Sequence, residues 1–187
     1  MNLEIQQRFD RKFAETIAVE IITKLQIHLM KYLICGSIRR RKSTVGDIDI
    51  VAIPKSTYEI GEESLSDVIS RIDPNGSKIA KSLGKSGAKR FLNGDLIKRF
   101  QYKGISIDLY LADETTFGTL ALIRTGSKEH NIKLTKIARS KGLKLFASGK
   151  GLCQVDDEDN VLKIINVNEH GILSTLLNYI PDPQDRD

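Results

Sequence analysis

The chain has 187 residues, of which 40% are hydrophobic and 28% charged, a composition typical of soluble globular proteins. Its formal net charge of +5 favours a polyanionic partner. The first twenty residues hold four carboxylates and no apolar stretch typical of a signal peptide, and no run approaches the roughly 20 apolar residues that span a membrane. These features argue against secreted and membrane proteins, and we expect a soluble, cytoplasmic one.

Cys35 and Cys153 lie in separate apolar runs without metal-ligand spacing, so we expect buried free thiols.

The first half of the sequence alternates helical and extended patterns. Apolar residues recur at every fourth position between Phe9 and Met30, which predicts an amphipathic helix. Polar and apolar residues alternate from Asp47 to Ile53, and two further alternating runs flank Lys103-Gly104, as in a β-hairpin. The predicted elements are a helix over 9–30, a strand over 32–35, a strand over 47–53, a helix over 64–72, a turn over 73–76 and a hairpin over 96–111. This order predicts a mixed sheet covered by helices, in a domain that ends near residue 113.

The second half predicts a smaller unit. A short helix over 117–123 comes first, and Ser127 is a suitable N-cap for a helix that ends at Lys141, before Gly142. Short strands follow over 143–145, 152–155 and 161–165, and a last helix covers 168–177. We expect the acidic tail from residue 182 to be disordered. The fold class is therefore α+β, with domains over 1–113 and 114–187.

Carboxylates on two predicted strands suggest a metal-binding site. Asp47 and Asp49 are two residues apart on a predicted strand, so both side chains lie on one face while Ile48 and Ile50 point to the core. Two such carboxylates repel each other, and a divalent cation between them would stabilise the pair. In the hairpin, Asp108 lies on the face opposite the inward-facing apolar residues. If the two strands are neighbours, three carboxylates form a cluster suited to two Mg²⁺ ions about 3.5–4 Å apart.

Each feature also has a simpler interpretation. An Asp-x-Asp pair is often an exposed strand edge, and an acidic residue on a hairpin is usually solvated. The four consecutive cations Arg39 to Lys42 could neutralise the carboxylates on a surface, or grip phosphate in the same site. Thr-Gly-Ser before a helix is by default only an N-cap turn.

Taken together, the motifs of the sequence resemble those of a known family of proteins. Gly36-Ser37, followed by Arg39-Arg40 and then by Gly46-Asp47-Ile48-Asp49, resembles the signature of the nucleotidyltransferase superfamily. The segments Arg124 to Asn131 and Lys141 to Leu145 resemble the palm-to-thumb region of family X DNA polymerases, the group of DNA polymerase beta, and Tyr179-Ile180-Pro181 is similar to the end of that family's chains. The resemblance implies a nucleotidyltransferase palm followed by a thumb-like domain, in a minimal form similar to the small viral or phage-encoded members.

The resemblance implies roles for the residues that match. Gly36 and Ser37 would bind the terminal phosphates of the incoming nucleotide, and Arg40 would clamp them. Asp47 and Asp49 would hold two Mg²⁺ ions, which Mn²⁺ could replace, and Asp108 would hold only the catalytic ion near the primer 3′-hydroxyl. Gly126 matches the turn under the nucleotide's sugar, and Asn131 an asparagine that reaches the base. Gly46 and Thr125 belong to the same nucleotide-binding motifs.

The implied activity is that of a DNA polymerase that adds a dNTP to a primer in gap filling or repair, working as a monomer on DNA. Arg124, Lys128, Lys133 and Lys136 are candidates for DNA contacts, with a solvated role as the alternative. Three departures from the family's pattern leave the preference for template and sugar open: Ser106 replaces a basic residue, Ile123-Arg124 an aromatic pair, and Thr135 an arginine. The alternative functions are a template-independent nucleotidyltransferase and an inactive DNA-binding module.

Overall fold

The computed structural model describes residues 7–55, 65–73, 93–94 and 96–186. Helix α1, Arg11–Leu25, begins where the Asp10 carboxylate accepts hydrogen bonds from the backbone N–H groups of Lys12 and Phe13. It is followed by a single 3₁₀ turn, Gln26–His28. The helix predicted over 9–30 is thus confirmed over 11–25, but residues 9 and 10 form a short strand, and residues 29 and 30 belong to the next strand. Apolar residues one helical turn apart cannot distinguish a helix end from the start of a buried strand.

A five-stranded mixed sheet forms the larger part of the molecule. Its strands are β2 (Leu29–Ile34), β4 (Asp47–Pro54), β5 (Asn93–Gly94), β6 (Ile97–Tyr102) and β7 (Ile105–Leu111), in the order β2-β4-β7-β6-β5. Strands β4 and β7 are parallel and the other neighbours are antiparallel. The β6–β7 turn has φ values of 49° at Lys103 and 82° at Gly104, as expected for a type I′ hairpin. The predicted mixed sheet and its hairpin are confirmed.

Short elements complete this part of the chain. Strand β1, Phe9–Asp10, pairs with β3, Thr44–Val45, and helix α2, Gly36–Arg39, connects β2 to β3. Helix α3, Leu65–Ile72, confirms the helix predicted there. Of the turn predicted over 73–76, only residue 73 lies among the described residues.

One face of the sheet is buried against α1. The inward side chains of β4 and β7 alternate with polar ones, and Ile48, Ile50, Ile105, Ile107 and Leu109 are fully buried beneath Ile17, Ile21 and Leu25 of the helix. Burying each such side chain contributes about 1.5–3 kcal/mol. The opposite face of β4 and β7 is therefore the one that carries the acidic residues.

The remaining elements form a second layer of structure. They are α4 (Phe117–Thr125), α5 (Lys128–Ser140), β8 (Leu143–Phe146), β9 (Gly151–Val155), β10 (Val161–Asn166) and α6 (Glu169–Leu177). The last three strands form an antiparallel sheet in the order β10-β9-β8, which packs its own apolar cluster with α5 and α6. The three short strands and both capped helices confirm the sequence prediction, and Ser127 caps α5.

Helix α4 contacts the face of the large sheet that α1 leaves uncovered. Phe117 and Leu120 pack against Val51, Tyr110 and Cys35 in a third apolar cluster. This cluster joins residues on both sides of position 113, so the division of the chain there stays a prediction. Both cysteines are buried and unbridged, as predicted, and burial raises the pKa of the Cys35 thiol to about 12.

The end of the chain corrects one expectation. The tail that we expected to be disordered is ordered up to residue 186: a 3₁₀ turn covers Pro183–Asp185, and Arg186 is only 2% exposed. Its guanidinium donates to Glu169 Oε1 at 2.7 Å and to the Pro181 carbonyl oxygen at 3.1 and 3.2 Å. The buried carboxylate of Glu169 holds this arginine in place. The acidic composition of the tail did not predict this contact.

Candidate nucleotide and metal site

A cleft of about 690 Å³ opens between the acidic face of the large sheet and helix α5. The predicted site residues that line it are Gly36, Ser37, Arg40, Asp47, Asp49, Arg124, Gly126, Lys128, Asn131 and Lys136. Four other predicted residues lie outside its lining, namely Gly46, Asp108, Thr125 and Lys133. The structure therefore brings the phosphate, metal and sugar motifs of the sequence into one place.

The three predicted metal carboxylates lie on neighbouring strands. Asp49 of β4 is the direct register partner of Asp108 on the parallel strand β7, and Asp47 is the partner of Ser106. Burial, followed by the charges of Asp47 and Asp108, raises the pKa of Asp49 to about 7. Burial and Asp108 also raise the pKa of Asp47. The site thus concentrates negative charge, which a bound cation or protonation would relieve.

Asp108 has a partner that the sequence analysis missed. Its carboxylate accepts a bidentate ion pair from Arg99, with Nε 2.6 Å from Oδ1 and Nη2 on Oδ2, and a hydrogen bond of 3.2 Å from the Tyr110 hydroxyl. Arg99 lies on β6 directly opposite Asp108. The hairpin could have predicted this pair, because residues 99 and 108 are equally distant from the two-residue turn at 103–104.

The turn after β2 requires glycine. Gly36 has a φ of +58°, and a Cβ atom there would overlap Oδ2 of Asp49 and lie 3.1 Å from its Cγ. This close approach places the backbone of the Gly-Ser turn directly beside the acidic pair. Ser37 follows on α2, where its hydroxyl lies 3.4 Å from Nη2 of Arg40.

Two neighbours in the run of four cations, Arg39 and Arg40, have different surroundings. Arg40 points to the cleft, where its Nη1 donates to the carbonyl oxygen of Thr125 and would lie 3.1 Å from a Cβ on Gly126. Arg39 points away: it donates to Thr125 Oγ1 at 2.7 Å and forms a bidentate pair with Glu169 at 2.9 and 3.0 Å. Arg39 therefore meets neither expectation for the four cations, neutralising the carboxylates on a surface or binding phosphate in the cleft, because its guanidinium lies in a largely buried network outside the cleft lining.

The opposite wall of the cleft comes from α4 and α5. The Gly126-Ser127 peptide is cis, and the Ser127 N–H donates to the carbonyl oxygen of Arg186 at 3.1 Å. Asn131 donates from Nδ2 to the carbonyl oxygen of Ile123 at 2.8 Å. The guanidinium of Arg124 lies 4.1 Å above the ring of Tyr110. Along α5 the side chains that face the cleft are Lys128, Asn131, Ile132, Thr135, Lys136 and Arg139.

The donor set fits magnesium in part. Carboxylate oxygens are the ligands that Mg²⁺ prefers, and proteins usually bind it through one or two carboxylates together with substrate phosphates and water. Asp47 and Asp49 supply such a pair on the cleft wall. Within the described parts of the chain, no three His, Cys, Asp or Glu side chains form a ready-made metal cluster. Both oxygens of the third carboxylate, Asp108, are instead engaged by Arg99.

Comparison with known proteins gives one informative relative. Over 145 residues, 76% of the chain, the sequence is 33% identical to the DNA polymerase/3'-5' exonuclease PolX of Bacillus subtilis (strain 168). That relative is a family X polymerase, and the chain spans 23% of its length. No protein-family model matches the chain. Among the described residues, the longest and most apolar helices fall short of what is needed to cross a membrane.

Proposed function

We propose that the chain is a nucleotidyltransferase of the family X DNA polymerase type, which joins a dNTP to the 3′-hydroxyl of a DNA primer and releases pyrophosphate. The observation that carries this proposal is the single cleft in which Asp47 and Asp49 lie beside the Gly36-Ser37 turn and Arg40. The similarity to PolX supports it. Arg40 of the cationic run and the two carboxylates are then two halves of one site.

Each half has a defined task in the proposed reaction. Ser37, Arg40 and the backbone of Gly36 bind the terminal phosphates and stabilise the charge that develops on the leaving pyrophosphate. Asp47 and Asp49 hold the divalent ions, which when bound supply Lewis-acid charge to the reacting phosphate. Asp108 orients the primer 3′-hydroxyl from the adjacent strand. Gly126 and Asn131 support the sugar and base from the opposite wall.

The DNA would lie along helix α5. Lys128, Lys136 and Arg139 are spaced so that they fall on one face of this helix, and all three line the cleft. Cations in a row contact phosphates without regard to sequence, as a polymerase requires. Lys133 does not line the cleft, so we assign the DNA contacts to Lys128, Lys136 and Arg139.

A single-nucleotide extension assay tests the proposed function. The protein is incubated with Mg²⁺ and one dNTP or rNTP at a time, on a labelled gapped duplex and on the same primer alone. We expect extension only on the duplex and only by the complementary dNTP. Extension of the bare primer regardless of base would indicate a template-independent nucleotidyltransferase. Binding of the duplex without extension of either substrate would indicate an inactive DNA-binding module.

A further inference from the structure

We propose that Arg99 is a positioning residue that occupies the Asp108 carboxylate until divalent cations load the site, so that the third carboxylate becomes a ligand only when Arg99 withdraws. This inference rests on the proposed function, since it assumes that Asp108 serves a metal-dependent reaction. It concerns a residue of the neighbouring strand β6, outside the motifs from which that function was argued.

The register of the sheet places three charged residues in one row. Asp49 on β4, Asp108 on β7 and Arg99 on β6 are successive register partners. In the adjacent row Asp47 is followed by Ser106 and then by Gln101, neither of which carries a charge. The arginine is therefore matched to the third carboxylate specifically.

The contacts of Asp108 leave it little capacity for a metal ion. Arg99 donates to both carboxylate oxygens, and the Tyr110 hydroxyl donates to one of them as well. A divalent ion on the same oxygens would face the guanidinium across only a few ångströms, at a cost set by the repulsion of like charges. Arg99 and a divalent ion therefore compete for Asp108.

The two partners differ in their freedom to move. The side chain of Asp108 is 4% exposed, whereas that of Arg99 is 52% exposed. Asp108 is fixed in the sheet beside Asp49, and Arg99 can rotate its guanidinium into solvent without opening the core. The exchange thus needs a rotamer change of one half-exposed side chain. The ion pair between Arg99 and Asp108 reduces the repulsion among the three carboxylates when no metal is bound.

Manganese binding tests this competition directly. Free Mn²⁺ is measured by its EPR signal during titration of the wild type, Arg99→Gln and Arg99→Lys, without nucleotide or DNA. Lys98→Gln is the matched control, because it removes one positive charge from the neighbouring position of β6, where the side chain points to the opposite face. Circular dichroism establishes that each variant is folded.

We expect Arg99→Gln to raise the affinity of the weakest-binding Mn²⁺ site about tenfold, with a smaller rise in Arg99→Lys and none in Lys98→Gln. An added Asp108→Asn substitution should cancel the rise. Equal affinity in the wild type and both Arg99 variants would overturn the competition while leaving the proposed function intact. Absence of Mn²⁺ binding in every protein would also overturn this inference, which requires divalent cations to load the cleft before the substrate phosphates that complete a magnesium site, and the extension assay would then decide the proposed function separately.

Discussion

Asp49→Asn is expected to abolish nucleotide incorporation and, at the same time, to make the metal-free protein more resistant to unfolding. The loss of activity follows from the loss of a charged metal ligand in the cleft. The gain in stability follows from the raised pKa of Asp49, about 7 in the folded chain against an ordinary value of 3.8. Burial and two neighbouring carboxylates disfavour its charge, and the amide of asparagine carries none.

The effect of Asp49→Asn on the free energy of unfolding is expected to depend on pH. Between pH 4 and pH 7 the folded protein holds a proton on Asp49 that the unfolded chain has released, so this group lowers the free energy of unfolding as the pH rises. We expect Asp49→Asn to be more stable than the wild type by on the order of 4 kcal/mol at pH 8, and nearly equal to it at pH 4.

Thermal unfolding at the two pH values, with and without Mg²⁺, measures the effect. Mg²⁺ should raise the melting temperature of the wild type and leave that of Asp49→Asn nearly unchanged. Asp157→Asn, a change at an exposed residue of the β9–β10 turn, is the control and should behave as the wild type does. A metal-free Asp49→Asn protein that melts below the wild type at pH 8 would show that this carboxylate is not under electrostatic strain.

Glu169→Ala is expected to destabilise the protein by about 3–5 kcal/mol, because it leaves the buried Arg186 and the partly buried Arg39 without their shared partner. Glu169 accepts a bidentate pair from Arg39 and a further hydrogen bond from Arg186, whose side chain is 1% exposed. The two arginines hold the pKa of this carboxyl below its usual range, although burial opposes them. Removing a single member of such a network exposes the full cost of burying the others.

Urea unfolding at pH 7 measures this loss, and Glu158→Ala, at an exposed residue, is the matched control with an expected change within about 0.5 kcal/mol. Glu169→Gln should destabilise the protein nearly as much as Glu169→Ala. It keeps the side-chain volume, but it removes the negative charge that the two arginines require. A loss of less than about 1 kcal/mol in both Glu169 variants would mean that the network contributes little to the fold.

The same network matters for the cleft. Arg39 lies one residue before Arg40 and donates to Thr125, and the backbone of Arg186 holds the N–H of Ser127. These contacts connect helix α2, which carries the residues proposed to bind phosphate, to the Gly126 turn on the opposite wall. We therefore infer that the C-terminal residues help to set the width of the site.

The parts of this site that the sequence could predict are those with local signals. Alternation along β4 puts Asp47 and Asp49 on one face, the turn at 103–104 fixes the register of the hairpin, and Ser127 begins α5. Each depends on residues close together in the chain, where periodicity and capping rules apply.

The parts that the sequence could not predict depend on distant pairs. Arg39 and Glu169 are separated by 130 positions, and no periodicity relates them. Arg186 sits in a tail of acidic and proline residues that is typical of disorder, and its contact with the distant carboxylate of Glu169 favours its order. Composition describes a segment in isolation, whereas the fold decides which partner it meets.

The binding of a dNTP with and without Mg²⁺ tests the central claim most directly, because the claim is that the cations and carboxylates form one site. Isothermal titration of the wild type, Asp49→Asn, Arg40→Gln and the double variant separates the two halves. We predict that Mg²⁺ raises the dNTP affinity of the wild type by on the order of tenfold or more, that Asp49→Asn loses this rise, and that Arg40→Gln weakens binding in both conditions. A dNTP affinity that does not change with Mg²⁺ in the wild type, or an Arg40→Gln variant that binds the dNTP as tightly as the wild type does, would contradict the account.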